Sequence, residues 1–429
     1  MTDRFDVIIV GAGPAGSAAA YCMAKAGLSV LVLERGEYPG AKNTSGAVFY
    51  GEVLSNLLGD FWQQAPVERW ITKHIISFLG GDSSIELRLN GEKPSRPIGV
   101  SVLRTKFDRW FAQKAADAGA LVLTSTLAED LIFKNGRVSG VRTGREEGEV
   151  YADVVVAADG ANSLLAAKAG LRSTFRLQDL GLGVKEVIKL PSQEIEQRFQ
   201  LAENEGAAYA FVGEGTQGLP GGCFLYTNRE SVSLGLVVSL KSLGQARVCA
   251  TTLLDYFKEH PTVAPLISGG ILKEYSAHLI PAGGYYMVPQ LYADGILVVG
   301  DAAGLTLNSG LIQRGMDFAI ASGIAAAEAV KSAKEIGDFS KKSLSYYEEL
   351  LKGNFILQDL RRFRHLSRFL HSERIYKEYP AWLNRVAKRI FTIGLSPRKK
   401  TFELLIKEKP ERLSLLKIAV DILRGWRNL

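Results

Sequence analysis

The stretch Asp6-Val7-Ile8-Ile9-Val10-Gly11-Ala12-Gly13-Pro14-Ala15-Gly16 decides how this chain is read. A short apolar run that meets a glycine-rich turn reads as a parallel strand buried on both faces, where alternation is lost. The small-residue stretch Ser17 to Gly27 then reads as a helix, and Ser29 to Leu33 as a second apolar strand ending in Glu34-Arg35. Gly11 permits the tight strand-to-helix turn, Gly13 lets the backbone approach a pyrophosphate, and Gly16 lets helix and strand pack closely. Pro14 and Ala15 complete the phosphate-facing turn, where the helix offers free N–H groups and the positive end of its dipole. Glu34, with Arg35 beside it, is placed to accept hydrogen bonds from a ribose. The bland alternative is a glycine-rich turn in an ordinary α/β domain. Strand, helix, second strand and acid at these spacings favour a dinucleotide site.

The chain has 429 residues, 47% of them hydrophobic, enough for a large core and two or three structural units. Three cysteines, Cys22, Cys223 and Cys249, are too few and too scattered for a disulfide framework or a four-cysteine iron–sulfur cluster. No signal or transit peptide fits Met1-Thr2-Asp3-Arg4, and no apolar run reaches spanning length, so a cytoplasmic protein is expected. The net charge of +7 is unevenly placed: from Arg361 to Leu429 there are 18 Lys and Arg against 6 Asp and Glu, which leaves the first 360 residues at about −5. A basic tail of this kind points to an anionic surface or partner. No nucleic-acid motif accompanies it. The five histidines, His74, His260, His278, His365 and His371, show no metal-ligand spacing, so no metal site is expected.

Further along, Gly36 to Gly46 is a polar, glycine-rich loop that either a bound cofactor or plain solvent accommodates. A helix with apolar positions at 107, 110, 111 and 115 opens just after Arg104, whose guanidinium can reach a pyrophosphate. Ala120 to Thr124 reads as a third parallel strand, with Leu127 beyond its C-terminal end, where doubly wound sheets bind ligands. Asn135-Gly136 between apolar runs signals a hairpin over Leu131–Val141. Two more buried strands end in acids: Ala152 to Ala158 in Asp159-Gly160, and Gly295 to Val299 in Gly300-Asp301. A long helix is expected from about Leu311 to Ser332. Either Asp alone could bind a sugar hydroxyl, cap a helix or solvate a turn; with the N-terminal motif they form a set.

That set resembles the flavoprotein superfamily typified by p-hydroxybenzoate hydroxylase and glutathione reductase. The resemblance implies non-covalent FAD on an α/β, Rossmann-like fold of the glutathione reductase type, with a β-sheet substrate domain and a helical C-terminal extension. It puts Glu34 on the AMP ribose, Arg104 near the pyrophosphate, Asp159 and Gly160 in the pyrophosphate region and Asp301 on the ribitol chain. The segment Gly300 to Gly310-Leu311 then leads to a helix whose N-terminus faces the flavin. More narrowly, Gly40-Ala41-Lys42-Asn43-Thr44-Ser45-Gly46, His278 to Tyr285 and Gly300-Asp301-Ala302-Ala303-Gly304 resemble the FixC branch of electron-transfer flavoprotein–quinone oxidoreductases, as does the helical tail with Tyr346 to Leu350 and Asp359 to Arg364. Lys42, Asn43, Ser45 and Gly46 join the cofactor set on that ground, and His278, Gly284 and Tyr285 are candidates to border a quinone pocket, with a buried structural histidine as the bland and favoured alternative for His278. This chain lacks the cluster cysteines of the single-chain mitochondrial relatives, so any iron–sulfur centre belongs to a partner.

The implied function is transfer of electrons from an electron-transfer flavoprotein, of α and β subunits, through FAD to a membrane quinone. The implied setting is a bifurcating complex with a small ferredoxin-like iron–sulfur subunit. The chemistry is centred on the flavin, so no side chain is named as catalytic. Residues 1–69, 101–175 and 276–340 are expected to form the FAD-binding domain, 70–100 and 176–275 the substrate domain, and 341–429 a basic helical region that meets the cytoplasmic membrane peripherally, docks partner subunits, or simply packs back on the core with a solvated face. Two alternatives share the fold: a geranylgeranyl reductase-like enzyme acting on isoprenoid double bonds, with an aromatic hydroxylase behind it, and a non-catalytic flavin relay.

Overall fold

The apolar run at the N-terminus becomes the central strand Arg4–Val10 of the first sheet. It pairs in parallel with Glu149–Ala157 on one side and Val30–Leu33 on the other. Ile296–Val298 and Leu121–Leu123 extend the parallel set outward. Val7, Ile8 and Ile9 are fully buried because both faces are covered, which is why the run carries no alternation. The helices Pro14–Lys25, Arg104–Asp117 and Met316–Ile336 pack around this sheet. We describe the computed structural model over residues 4–43, 47–91, 95–146, 148–173, 175–310, 312–395 and 397–428.

The expected hairpin forms between Ala128–Lys134 and Arg137–Thr143. Asn135 and Gly136 take φ of +53° and +78°, the left-handed pair that matches the twist of the flanking strands. The long helix starts at Met316 rather than near Leu311. The intervening Gln313–Arg314 pairs with Leu307–Asn308 as a short ribbon, so those residues are extended, and Gly315 then caps the helix.

The second sheet runs in the order Ile271–Pro281, Leu180–Lys189, Ser231–Ser239, Gly221–Thr227, Glu205–Gly213, Val67–Leu79, Gly99–Val102, Ala47–Tyr50, with Ser84–Asn90 also on Val67–Leu79. Its back face packs Val184, Leu234, Leu236 and Phe211 against Ile195, Phe199 and Phe257 of two helices. The expected boundaries at 69/70, 100/101 and 275/276 each fall inside a strand of this sheet. Apolar runs announce strands; which sheet a strand joins is settled by pairings far apart in sequence.

The C-terminal region ties both sheets together. Tyr347 donates its hydroxyl to the Val298 carbonyl (3.1 Å), and Leu351, Ile356 and Leu360 enter the first core. Farther on, Asn384 of the helix Glu378–Phe391 donates to the Phe78 carbonyl (2.8 Å) and accepts from Ser83 (3.0 Å), which clamps the tail to the second sheet. Asp421 anchors the last helix, Leu415–Asn428, on Arg374 (2.8 Å) and the Tyr379 hydroxyl (2.7 Å).

Candidate functional site

A cavity of about 900 Å3 lies between the C-terminal ends of the first-sheet strands and the inner face of the second sheet. Gly11, Gly13, Pro14 and Ala15 line it from the glycine turn, and Glu34 and Arg35 from the end of Val30–Leu33. Lys42, Asn43, Arg104, Leu127, Asp159, Gly160 and Asp301 line it as well. Chain topology brings most of these together at the carboxyl ends of parallel strands or in the loops that follow; Arg104 comes instead from the start of the helix Arg104–Asp117, after the antiparallel strand Gly99–Val102 of the second sheet.

Gly16 and Gly300 stand behind the lining. A Cβ on Gly16 would sit 1.9 Å from the Gly11 carbonyl oxygen, and one on Gly300 would sit 2.9 Å from the Ala15 Cβ. Their part is close packing. Gly310 lies between the two strands of the ribbon, its N–H donating to Asn308 (2.8 Å), and does not line the cavity. Ser45, Gly46 and Leu311 lie outside the described residues.

Glu34 has partners within the protein. One carboxylate oxygen accepts from Ala12 N–H (3.0 Å) and the other from Gly36 N–H (2.7 Å), so Glu34 pins the glycine turn to the end of the second strand. The loop after it is held by protein: Asn43 donates to Asp108 (2.8 Å), and the Arg109 guanidinium lies 4.1 Å from the Tyr38 ring. Arg104 forks onto Asp108 with two bonds of 2.7 Å. Burial opposes its charge, but Asp108 and the nearby Asp301 outweigh that and keep the guanidinium protonated. Burial likewise pushes the Asp301 carboxyl up, and Arg104 opposes the shift.

Asp159 caps the helix Leu164–Lys168 by accepting from Leu165 N–H (3.0 Å) with one oxygen. Its other oxygen, Oδ1, is buried without a partner, and burial pushes the carboxyl up. Two helices also open toward the cavity without a side-chain cap: Pro14–Lys25 after Gly13, and Met316–Ile336 after Gly315. Their first N–H groups and positive dipole ends face the space.

The opposite wall is the inner face of the second sheet, with Ile76, Ala208, Ala210, Phe224 and Tyr226 among its apolar lining. His278 faces the same cavity; burial, then Arg104 and Arg35, push its imidazole toward the neutral form. Gly284 and Tyr285 are placed elsewhere. They form the turn Gly284–Met287, and Tyr285 lines a second cavity of about 440 Å3 with Gln290, Glu348, Lys352 and Arg361. Sequence adjacency to His278 had joined them, but strand Ile271–Pro281 ends between the two. Lys185, Tyr50 and Tyr226 line the main cavity and were not read from the sequence. The available signal for Lys185 was a single lysine on the inner parity of Val184-Lys185-Glu186-Val187-Ile188.

A family model described as FAD dependent oxidoreductase matches residues 6–183, and a model of the ETF-QO/FixC family C-terminal domain matches residues 366–429. The chain is 41% identical over 425 residues to the Probable electron transfer flavoprotein-quinone oxidoreductase YdiS of Escherichia coli (strain K12), covering 99% of this chain and 98% of the relative. It is 43% identical over 427 residues to Protein FixC of the same strain, with the same coverage. The chain belongs to the ETF-QO/FixC family. It is an FAD-dependent oxidoreductase, and the fold expected from the sequence is the one found. Among solved structures, a geranylgeranyl bacteriochlorophyll reductase-like protein from Thermoplasma acidophilum aligns with a TM-score of 0.74 at 23% identity over 99% of each chain. The flavin-dependent brominase Bmp2 aligns at 0.64 and 17% over 99% of each chain. At such identities the likeness speaks to fold alone.

The residues present fit FAD. The Cβ position of Gly13 has no atom within 4 Å, so that glycine leaves open space where a phosphate would come close. The charged Arg104 and the two uncapped helix ends supply a cation and free donors for a dinucleotide diphosphate, and the unpartnered Asp159 Oδ1 is an acceptor for a hydroxyl of the same ligand.

Proposed function

We propose that this FixC-family chain receives electrons from an electron-transfer flavoprotein and passes them to a quinone held against the second sheet. FAD, when bound, supplies the redox chemistry. The glycine turn Gly11–Gly16 and Arg104 hold the pyrophosphate, Glu34 the AMP ribose, Asp159 the pyrophosphate region and Asp301 the ribitol. The loop of Lys42 and Asn43 closes over the cofactor. The N-terminus of Met316–Ile336 favours negative charge at the far end of the cavity. The observation that carries the reading is one cavity with two unlike walls: a dinucleotide cradle facing an apolar sheet suited to a quinone ring and isoprenoid tail.

The test is stopped-flow absorbance of the FAD-loaded protein mixed with reduced electron-transfer flavoprotein, then with a short-chain quinone. Flavin reduction followed by reoxidation on quinone is expected. Rapid flavin reduction by NADPH, with oxygen consumed on adding phenols, would sink the reading in favour of a hydroxylase. Glu34→Ala removes the two charge-assisted bonds that shape the turn and is expected to weaken FAD roughly 10- to 100-fold. Fluorescence titration of released flavin reads this; unchanged affinity would mean that the pin is dispensable.

The finer setting is a subunit of a bifurcating complex, with a separate ferredoxin-like iron–sulfur partner, at the cytoplasmic membrane surface. Its support is the tail: Phe391, Ile393, Leu395 and Phe402 are exposed on either side of Arg398, Lys399 and Lys400 in sequence, and Leu416 and Leu423 are exposed on the last helix. No helix among the described residues is long and apolar enough to cross a membrane, so contact through this face would be peripheral. Co-sedimentation with anionic but not zwitterionic vesicles is expected; equal partition between the two would rule out the electrostatic component.

A further inference from the structure

Lys185 is the one lysine buried among the described residues, 1% exposed. It lies in the strand Leu180–Lys189. Val184 and Ile188 of that strand pack into the core behind the second sheet, so the other parity, Gly183 and Lys185, faces the cavity. Lys185 itself lines that cavity. Directly opposite it stand Gly235 on one neighbouring strand and Ser276 on the other. Gly235 makes room for the Phe224 ring, whose Cζ would lie 2.6 Å from a Cβ added there, so Lys185 shares this wall of the cavity with Phe224 and Tyr226. Removing an ammonium from water costs several kcal/mol.

We infer that Lys185 is a catalytic residue of acceptor reduction: its ammonium hydrogen-bonds a carbonyl oxygen of the bound quinone and gives its Nζ proton to that oxygen as the quinone is reduced. The inference rests on the quinone reading above. FAD, when bound and reduced, would supply two electrons and one proton to the quinone, which would leave a quinol monoanion. The oxyanion takes the second proton from Nζ; an O–H bond forms, an N–H bond breaks, and the neutral amine regains a proton from solvent. The sum is one quinone, two electrons and two protons to one quinol.

The surroundings suit that role. Burial pushes the Lys185 ammonium down to about 7; Glu274 opposes the shift and Arg104 adds to it. The other titratable groups of this sheet that line the cavity are His278, on the strand carrying Glu274, and Tyr50, His74, Arg88, Tyr209 and Tyr226. An acid poised near neutrality gives up its proton readily yet is still charged in a useful fraction of molecules. Because the ammonium is the reacting form, quinone reduction holds below about pH 7 and falls as pH rises through it.

The experiment uses FAD-loaded protein, photoreduced, then mixed with a short-chain quinone or with ferricenium, which takes an electron and no proton. Lys185→Met is expected to slow quinone reduction roughly 100-fold, abolish the break in the pH profile and leave ferricenium reduction within about twofold. A second readout is binding, followed by protein fluorescence, of a hydroxynaphthoquinone that is anionic at neutral pH, against its neutral methyl ether. Lys185→Met loses about tenfold for the anion and nothing for the ether. Lys185→Arg keeps the anion affinity but not the rate, because a guanidinium does not release its proton. Unchanged quinone rates and pH profile in both variants would overturn the inference while the quinone reading stands. A wild-type protein that passes no electrons to any quinone overturns the reading itself.

Discussion

Gly13→Val is expected to give a folded protein that no longer carries flavin. At Gly13 the backbone has φ −75° and ψ −176°, extended geometry that any residue adopts, and the added Cβ meets no protein atom within 4 Å. Nothing in the protein alone demands glycine there. The demand comes from a ligand brought close to the backbone at the uncapped start of Pro14–Lys25. Overlap with a bound group costs about 1–3 kcal/mol for a methyl-sized intrusion. Valine's branched side chain adds more, so FAD is lost on purification. Gly16→Ala is the contrasting case. Alanine is the better helix former by about 1 kcal/mol, yet its Cβ would sit 1.9 Å from the Gly11 carbonyl oxygen. Strand and helix must separate, and destabilisation of about 3 kcal/mol or more is expected. Circular dichroism and flavin content of the two variants separate the effects: native spectrum without yellow colour for Gly13→Val, lowered unfolding midpoint for Gly16→Ala. Full flavin content in Gly13→Val overturns the assignment of the phosphate site.

Arg69→Met should be the most damaging single change to the second sheet. Arg69 is 1% exposed at the start of Val67–Leu79. Its Nε donates to the Asn228 carbonyl (2.6 Å) and Nη1 to the Glu205 carbonyl (3.0 Å). Nη2 reaches Ser192 Oγ (2.7 Å), Glu196 Oε1 (3.1 Å) and the Arg229 carbonyl (3.1 Å). One guanidinium thus ties a strand, the helix Ser192–Phe199 and the turn before Ser231–Ser239. Removing one partner of a buried charged network costs about 3–5 kcal/mol, since the abandoned acceptors stay away from water. Methionine fills comparable space, so the loss reports hydrogen bonding rather than a void. A shift in the denaturant midpoint measures it. A loss below about 1 kcal/mol would mean that water replaces the guanidinium. Arg69→Lys keeps the charge but not the fork, and is expected to fall between the two.

Arg69 also shows where reading a sequence stops. Nothing around Glu68-Arg69-Trp70 marks that arginine, because its partners lie 123 to 160 residues away. Lys185 is similar: its strand is evident, but which face looks into a cavity depends on pairing with Ser231–Ser239 and Ile271–Pro281. The placement of Tyr285 against a second cavity turned on where a strand ended, and Ala47–Tyr50 joined the second sheet through Gly99–Val102. Each of these is a non-local pairing, and local propensity carries no information about non-local partners.

By itself, the run from Asp6 to Arg35 determined a βαβ unit with a glycine turn, because turn geometry, small-residue packing and a parallel strand buried on both faces are all local demands on residue type. The acids at Asp159 and Asp301 and the hairpin at Asn135-Gly136 followed on the same grounds. Tertiary structure alone decided that Glu34 pins the turn it follows, that Asp159 caps a helix with one oxygen and keeps the other free, and that a buried lysine lines the cavity from the second sheet. The difference is one of range. Backbone sterics and periodicity act over a few residues and are written in order along the chain. Burial, charge environment and the walls of a cavity arise only when distant strands come together.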